Sequence, residues 1–139
     1  MGLIPKENKP PIPPMPECKP PKSAVEITED YSKMIYVAGA YGGSEINKEY
    51  IEKCCRDFTK KYPAYCFVNG VSQFSHWYEY SDSIIEDLKR CVALLKKCDE
   101  IWVVGEHWQS SQGTMVEIFV AMENNIPVVF NEDKYFCPF

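Results

Sequence analysis

The sequence predicts an α/β fold in which a mainly parallel sheet of four or five strands lies between layers of helices. Short apolar runs of β-favouring residues alternate with segments whose apolar residues recur at helical spacing. The connections are short, and strands joined through a helix pair in parallel by right-handed crossovers. A proline-rich arm over residues 1–30 precedes this domain, which is predicted to span residues 31–139.

The arm is indicated by composition. Residues 1–22 carry eight of the eleven prolines of the 139-residue chain. Proline lacks a backbone N–H and has a fixed φ, so the segment cannot pair within a sheet or continue a helix. It also has too little apolar surface to offset the entropy of ordering. We expect a disordered or extended arm that serves as a tether or as a ligand for a proline-recognising partner.

The first strand and helix follow the arm. Residues 34–38 form an apolar run that stops at Gly39. Ser44 or Asn47 can cap the next helix, and Pro63 ends it. The residues of this segment that recur at helical spacing are Tyr50, Ile51, Cys54, Cys55 and Phe58.

The second strand is predicted over residues 64–71, and a loop rich in aromatic residues, SQFSHWYEYSD, follows it. A second helix is then predicted over residues 83–97. Its apolar residues form one stripe, which consists of Ile84, Ile85, Leu88, Val92, Leu95 and Cys98.

The last strands flank a third helix. Residues 101–104 are typical of a strand and are followed by Gly105. The third helix is predicted over residues 113–125, and residues 127–130 form the fourth strand.

Charge and hydropathy restrict the class of protein. Lys plus Arg number 15 against 20 Asp plus Glu, which gives a net charge of −5 and a pI near 5.1. This balance argues against binding to duplex nucleic acid, which needs a basic surface. No apolar run is long enough to cross a bilayer, and the first residues carry no signal core. We therefore expect no membrane association and a cytoplasmic location.

The seven cysteines do not follow a disulfide or zinc pattern. Their number is odd, and no two are spaced as CxxC. We expect most of them to be small buried hydrophobic residues. The sequence indicates no metal site and no bound cofactor.

Three loops are predicted to form the functional site, since ligands of parallel sheets bind beyond the carboxyl ends of the strands. These loops are residues 39–44, 70–83 and 105–113. In the first, Gly39, Gly42 and Gly43 allow a backbone to approach a phosphate or ribose closely, although a plain tight turn explains them equally well.

The third loop leads to a carboxylate in an otherwise apolar helix. Ser110, Ser111 and Gly113 supply hydroxyl groups and a flexible backbone just before Glu117. One interpretation is a capping box between Thr114 and Glu117, in which the carboxylate bonds to a backbone N–H. The other is a carboxylate at the base of a pocket that binds a sugar hydroxyl or attacks an anomeric carbon.

The middle loop brings aromatic residues toward the same edge of the sheet. His76, Trp77, Tyr78 and Tyr80 could stack on a nucleobase, form a lid or form a dimer contact. His76, and His107 in the third loop, are candidate acid–base residues.

Three sequence blocks carry a resemblance to a known family: MIYVAGAYGG at residues 34–43, KKCDEIWVVG at 96–105 and SSQGTMVEIFVAMENNIPVVF at 110–130. They resemble the nucleoside 2-deoxyribosyltransferase-like superfamily, in particular a poorly characterised bacterial and phage branch, over about residues 33–131. The resemblance implies a small flavodoxin-like fold. It also implies a homo-oligomer as a plausible state.

The resemblance further implies roles for individual residues. Glu117 stands where catalytic members have the nucleophile that takes the sugar, and Tyr36, Gly39 and Tyr41 match the region around the base and sugar. The aspartate that assists the leaving base in those members is replaced by Cys91, so Asp87 one turn earlier is the candidate substitute. Where relatives often carry a proline–histidine pair, Asn69 is the residue able to contact a ligand.

Three functions from different classes remain open. The first is a hydrolase or (deoxy)ribosyltransferase that acts on the N-glycosidic bond of a nucleoside or nucleotide. The second is an inactive nucleotide-binding module that uses the same pocket. The third is an interaction scaffold that binds through the arm and the aromatic loop.

Overall fold

Four parallel strands form the centre of the computed structural model, which describes residues 33–130 and the isolated Pro11. The strand order is β2-β1-β3-β4, and all three pairings are parallel. The strands are β1 (Lys33–Ala38), β2 (Tyr65–Val68), β3 (Glu100–Val103) and β4 (Val128–Phe130). The predicted parallel sheet is confirmed, with four strands. Apart from Pro11, the proline-rich arm lies outside the described residues.

Helices connect these strands in the alternating order that the sequence predicts. The helices are α1 (Glu45–Lys61), α2 (Gly70–Phe74), α3 (Ile84–Leu95) and α4 (Gln112–Glu123). Two short 3-10 helices, Ser75–Tyr80 and Trp108–Ser110, precede α3 and α4. Among residues 33–130, no helix combines the length and the apolar character that crossing a membrane requires.

The central strand β1 divides the core into two layers because successive side chains of a strand point to opposite faces. On one face, an aromatic cluster packs under α1. Phe58 of α1 contacts the Trp102 ring edge-on, with ring centroids 4.9 Å apart, and stacks on Phe67 at 5.5 Å. The buried residues of this layer are Ile35, Val37, Ile51, Cys54, Phe58, Trp102 and Val104.

The opposite face of the sheet is covered by α3 and α4. The buried residues of this second layer are Tyr36, Ala38, Leu95, Cys98, Ile101, Val103, Ile118 and Ala121. Helices therefore cover both faces of the sheet. This is the three-layer, flavodoxin-like arrangement that the sequence resemblance implies.

Each helix begins at the carboxyl edge of the sheet with a side-chain cap. Ser44 accepts a hydrogen bond from the backbone N–H of Asn47, so Ser44 is the cap of α1 and Asn47 lies inside the helix. Ser83 and Ser111 cap α3 and α4 in the same way. These caps fix where the loops of the carboxyl edge end.

The second strand is shorter than predicted. It ends at Val68, because the Asn69 side chain accepts a 2.9 Å hydrogen bond from the Ser72 N–H and starts α2. The segment predicted as an aromatic loop is consequently helical over most of its length. The predicted apolar stripe of α3 is also only partly buried, since Ile84 and Ile85 are 73% and 61% exposed whereas Leu95 is fully buried.

Replacement of Phe58 by alanine tests the first core layer. We expect Phe58→Ala to lower the free energy of unfolding by about 3–5 kcal/mol, since it leaves a cavity between α1 and the sheet. Tyr80→Ala is the matched control, because Tyr80 is 75% exposed and its loss should cost less than about 0.5 kcal/mol. Urea unfolding measures both, and equal losses would contradict this packing.

Candidate functional site

A cavity of about 760 Å³ opens at the carboxyl edge of the sheet. Residues from all three predicted loops line it, together with residues of β1, α3 and α4. Twelve of the thirteen site residues that the sequence predicts are among them: Tyr36, Gly39, Tyr41, Gly42, Gly43, Asn69, Asp87, His107, Ser110, Ser111, Gly113 and Glu117. The volume lies within the range of small-molecule sites in proteins.

The first loop presents its backbone to the cavity. Gly42 and Gly43 have φ angles of +56° and +77°, a region that residues with a side chain rarely adopt. A Cβ atom at either position would meet no atom within 4 Å, so the space beside them is open. The Tyr41 carbonyl accepts hydrogen bonds from the Ser44 N–H and the Asn47 amide, at 3.0 and 3.2 Å, which hold the turn.

The third loop is held by local hydrogen bonds. Ser110 Oγ donates to the His107 carbonyl at 2.9 Å, and Thr114 Oγ1 donates to Ser111 Oγ at 3.0 Å. The Trp108 ring lies against Phe130 with centroids 4.8 Å apart, which attaches the loop to β4. The start of α4 is thereby fixed beside the cavity.

Glu117 lies inside α4 at the cavity wall and is 7% exposed. The capping-box interpretation is wrong, because Ser111 caps the helix and Thr114 is already helical. Instead, the carboxylate forms a hydrogen bond with the Tyr36 hydroxyl. Its Oε2 atom is buried and has no hydrogen-bond partner among the described residues.

Burial determines the ionisation of Glu117. Loss of hydration disfavours the charged form and raises the pKa of Glu117 to about 7, although the hydrogen bond from Tyr36 opposes this rise. The carboxyl group therefore changes charge near neutral pH. Carboxylates with such pKa values occur often at catalytic sites.

The sequence of the domain matches that of one known family. Residues 33–130 match a family described as a domain of unknown function, DUF4406. The chain belongs to this family. No curated protein matches the sequence.

The aromatic part of the DUF4406 cavity comes from two tyrosines. Tyr41 of the first loop and Tyr78 of the 3-10 helix lie with ring centroids 6.3 Å apart and ring planes tilted by 48°. A 3-10 helix has three residues per turn, so the residues next to Tyr78 point elsewhere. His76, Trp77 and Tyr80 are exposed and do not line the cavity, and the structure does not bring His76 to this site.

Two other predicted residues line the cavity but already have hydrogen-bond or charge partners. The Asn69 amide donates to the Val37 carbonyl at 2.6 Å, while its oxygen caps α2. His107 Nε2 lies 3.4 Å from a carboxylate oxygen of Glu106. Asn69 therefore holds α2 against β1, which the sequence did not predict, because the partner carbonyl is 32 residues distant along the chain.

Helix α3 contributes Asp87 and Cys91 to the cavity from adjacent turns of one face. Asp87 is mostly buried and pairs with Arg90, with Nη1 and Oδ1 3.4 Å apart. The Cys91 thiol hydrogen-bonds to the Tyr36 and Tyr78 hydroxyls. The sequence places Cys91 one turn after Asp87 on the helix, but its contact with Tyr36 depends on packing of α3 against β1.

The described residues include no group of three or more His, Cys, Asp or Glu side chains arranged to hold a metal ion. The five described cysteines, Cys54, Cys55, Cys66, Cys91 and Cys98, are free thiols.

Glu117 should make the stability of the protein depend on pH. Its pKa is higher in the folded state than the ordinary 4.5, so between pH 4.5 and 7 the folded state holds a proton that the unfolded state has lost. The free energy of unfolding of the parent should therefore fall by about 3 kcal/mol relative to Glu117→Gln as the pH rises through this window.

Denaturant unfolding of both proteins at half-unit pH steps measures this difference. The glutamine variant is the control, because it keeps the shape of the side chain and every other titrating group. Parallel stability curves for the two proteins would show that Glu117 ionises in the folded state as it does in the unfolded chain.

Proposed function

We propose that this protein acts on the N-glycosidic bond of a nucleoside or nucleotide, as a hydrolase or a (deoxy)ribosyltransferase, with Glu117 as the nucleophile. The observation that carries the proposal is the buried, unpartnered Oε2 of Glu117 at the wall of a cavity of about 760 Å³. An unpaired buried carboxylate oxygen lowers stability, and active sites are where such costs are retained.

A relationship between the DUF4406 family and the nucleoside 2-deoxyribosyltransferase-like superfamily is part of this proposal. The three sequence blocks support it, and residues of the first and third blocks line the cavity from β1, the loop after it and α4. The strand order β2-β1-β3-β4 is also that of a flavodoxin-like sheet. One fold hosts many functions, so the activity of this protein depends on the residues of its site.

The proposed reaction begins with the ionised form of Glu117, which is accessible at neutral pH because the pKa of the group is about 7. A carboxylate oxygen of Glu117 forms a bond to the anomeric carbon, the bond from that carbon to the base nitrogen breaks, and its electron pair leaves with the base. The base nitrogen takes a proton from an acid in the cavity. Attack of water on the same carbon then breaks its bond to Glu117, which releases the sugar and regenerates the carboxylate, and the proton lost by water returns to the acid. Attack by a second base in place of water completes a transfer, and the proton of its ring nitrogen returns to the acid in the same way.

The Tyr36 hydroxyl assists by orienting the carboxylate. It hydrogen-bonds to Glu117 and is 1% exposed, so it cannot exchange this partner for bulk water. It stabilises the negative charge before attack and again when the carboxylate is released. Oε2 is left as the oxygen with no hydrogen-bond partner.

Asp87 is the proposed source of the proton for the leaving base. It lines the cavity from α3, and the Arg90 guanidinium 3.4 Å away holds its side chain. The Tyr41 and Tyr78 rings offer apolar surface against which a base can lie. Ser110 and the exposed backbone at Gly42 and Gly43 are the groups proposed to contact the sugar.

An inactive nucleotide-binding module is the second candidate. Cys91 stands where catalytic relatives carry an aspartate, and its thiol is a poor acid because burial raises its pKa to about 11. The cavity and its aromatic wall would serve binding equally well without turnover. An interaction scaffold is the third candidate, which the exposed Trp77 and Tyr80 favour.

Loss of the Glu117 carboxylate tests the first candidate. We expect Glu117→Ala to reduce release of free base from the best nucleoside or nucleoside monophosphate by at least about 10³-fold, since the variant lacks the proposed nucleophile. The matched control is Glu123→Gln in the last turn of the same helix, where the side chain is exposed. Chromatography of the released base measures the rate.

Thermal-shift measurements on the parent separate the remaining candidates. Stabilisation by nucleosides or nucleotides without any release of base would establish the binding module and exclude the enzyme. No stabilisation and no release with any of them would favour the scaffold.

The proposed acid is tested by Asp87→Asn. This variant should release a natural base about 10²–10⁴-fold more slowly. A synthetic glycoside whose leaving group departs without protonation should be affected far less, because it does not need the proton. Asp82→Asn is the control, since Asp82 is exposed just before α3. Equal losses on both substrates would assign Asp87 a structural role.

A further inference from the structure

A buried thiol lies between two tyrosine hydroxyls at the cavity wall. Cys91 is 6% exposed, and its thiol lies within hydrogen-bonding reach of the hydroxyls of Tyr36 and Tyr78. The Tyr36 hydroxyl also hydrogen-bonds to Glu117. The four side chains come from β1, the 3-10 helix, α3 and α4, and each lies within hydrogen-bonding reach of the next. Together they can form one hydrogen-bond chain that ends at the carboxylate.

Gly70 packs against the two groups in the middle of this hydrogen-bond chain, the Cys91 thiol and the Tyr36 hydroxyl. A Cβ atom on Gly70 would lie 2.6 Å from Cys91 Sγ and closer still to the Tyr36 hydroxyl oxygen. Both atoms therefore pack against a position where only glycine leaves room. Gly70 is itself held in place, because Asn69 bonds to the Val37 carbonyl on one side and to the Ser72 N–H on the other.

The protons available to these groups determine which of them donates and which accepts in each hydrogen bond. Each tyrosine hydroxyl and the thiol has one proton to donate and can also accept, whereas an ionised carboxylate only accepts. When Glu117 is ionised, Tyr36 donates to it, so the Tyr36 oxygen accepts from the Cys91 S–H. The Tyr78 hydroxyl then donates to Cys91 Sγ, and every proton in the chain points toward the carboxylate.

We propose that Cys91 is a positioning residue. Its neutral thiol accepts a hydrogen bond from the Tyr78 hydroxyl and donates one to the Tyr36 oxygen, so that the Tyr36 hydroxyl proton stays directed at Glu117. A thiol does this only while it is protonated, and burial, which raises the pKa of Cys91 to about 11, keeps it so at neutral pH. The role is therefore the opposite of that of a nucleophilic cysteine, which needs a lowered pKa.

The consequence for Glu117 is a lower pKa than burial alone would produce. Without the thiol, the Tyr36 hydroxyl loses its donor and can turn away from the carboxylate, so the ionised form of Glu117 loses part of its stabilisation. The pKa of Glu117 thus depends on Cys91, although the two side chains share no hydrogen bond. The structural inference stands on these contacts, and only its effect on turnover rests on the proposed function.

The test is the pKa of Glu117 in the full-length protein, measured by carboxyl carbon NMR. We expect Cys91→Ala to raise this pKa by about one unit, which is the usual size of the effect of one lost hydrogen bond to a charged group. Cys91→Ser keeps one hydrogen-bond donor and one acceptor, so this variant should shift the pKa of Glu117 by less than about 0.3 units. Cys98→Ala is the control, since its buried thiol bonds to the Leu94 carbonyl at 3.4 Å, away from the cavity.

Tyr78→Phe supplies a second measurement if Cys91→Ala does not fold. It removes only the hydroxyl at the far end of the chain, so the pKa of Glu117 should rise, but by less than in Cys91→Ala. An unchanged pKa in Cys91→Ala would overturn the proposal. If Cys91→Ala is unfolded, either of two results would overturn the proposal. One is an unchanged pKa of Glu117 in Tyr78→Phe, and the other is a pKa shift in Cys91→Ser as large as the shift in Tyr78→Phe.

Activity distinguishes this inference from the proposed function. If the parent releases base, the acidic limb of its pH–rate profile should move with the pKa, and Cys91→Ala should lose about fivefold in rate at pH 7. If the parent releases no base but the pKa shifts as stated, the N-glycosidic activity fails and the positioning role stands. If base is released with Glu117 as nucleophile but the pKa of folded Cys91→Ala is unchanged, only the positioning role fails.

Discussion

Tyr36 belongs to the hydrophobic core and to the cavity at once, and the site depends on this double position. Its ring packs with Leu95, Ile101 and Ile118 between the sheet and the helices, and its hydroxyl meets Glu117 and Cys91. The core holds the ring where it is, so the hydroxyl cannot follow a moving ligand. Burial and the nearby carboxylate raise the pKa of Tyr36, which keeps this hydroxyl a hydrogen-bond donor.

The polar residues of the carboxyl edge mainly build the scaffold. Ser44, Asn69, Ser83 and Ser111 each cap a helix, and all four helices begin at this edge. Their side-chain oxygens satisfy backbone N–H groups that would otherwise point into the loops. This arrangement leaves few groups with unsatisfied hydrogen-bonding capacity at the site, and Glu117 Oε2 is one of them.

An acid buried in this way lowers the stability of the fold, because the ionised form is poorly solvated inside α4. The two core layers supply the stability that offsets it. A further cost is visible on the outer faces of α3 and α4, where Ile85, Phe119 and Met122 are exposed. Covering such a surface would favour association of copies, and the predicted homo-oligomer stays a prediction.

The sequence by itself determined the order of strands and helices, because local hydrophobic periodicity and helix caps are short-range signals. It also indicated the loops around the cavity, since parallel strands direct their carboxyl ends to one edge. It could not determine that Ser111 rather than Thr114 caps α4, or that Asn69 starts a helix. Both choices depend on hydrogen bonds that compete within a few residues.

Only the tertiary structure decided which side chains meet. Cys91, Tyr36 and Gly70 are distant in the sequence, and their contact depends on how α2 and α3 pack on β1. The same packing brings Tyr78 to the cavity and leaves His76 in solvent, because a 3-10 helix directs neighbouring residues to different faces. The raised pKa of Glu117 likewise results from burial by residues of several elements, which no local pattern encodes.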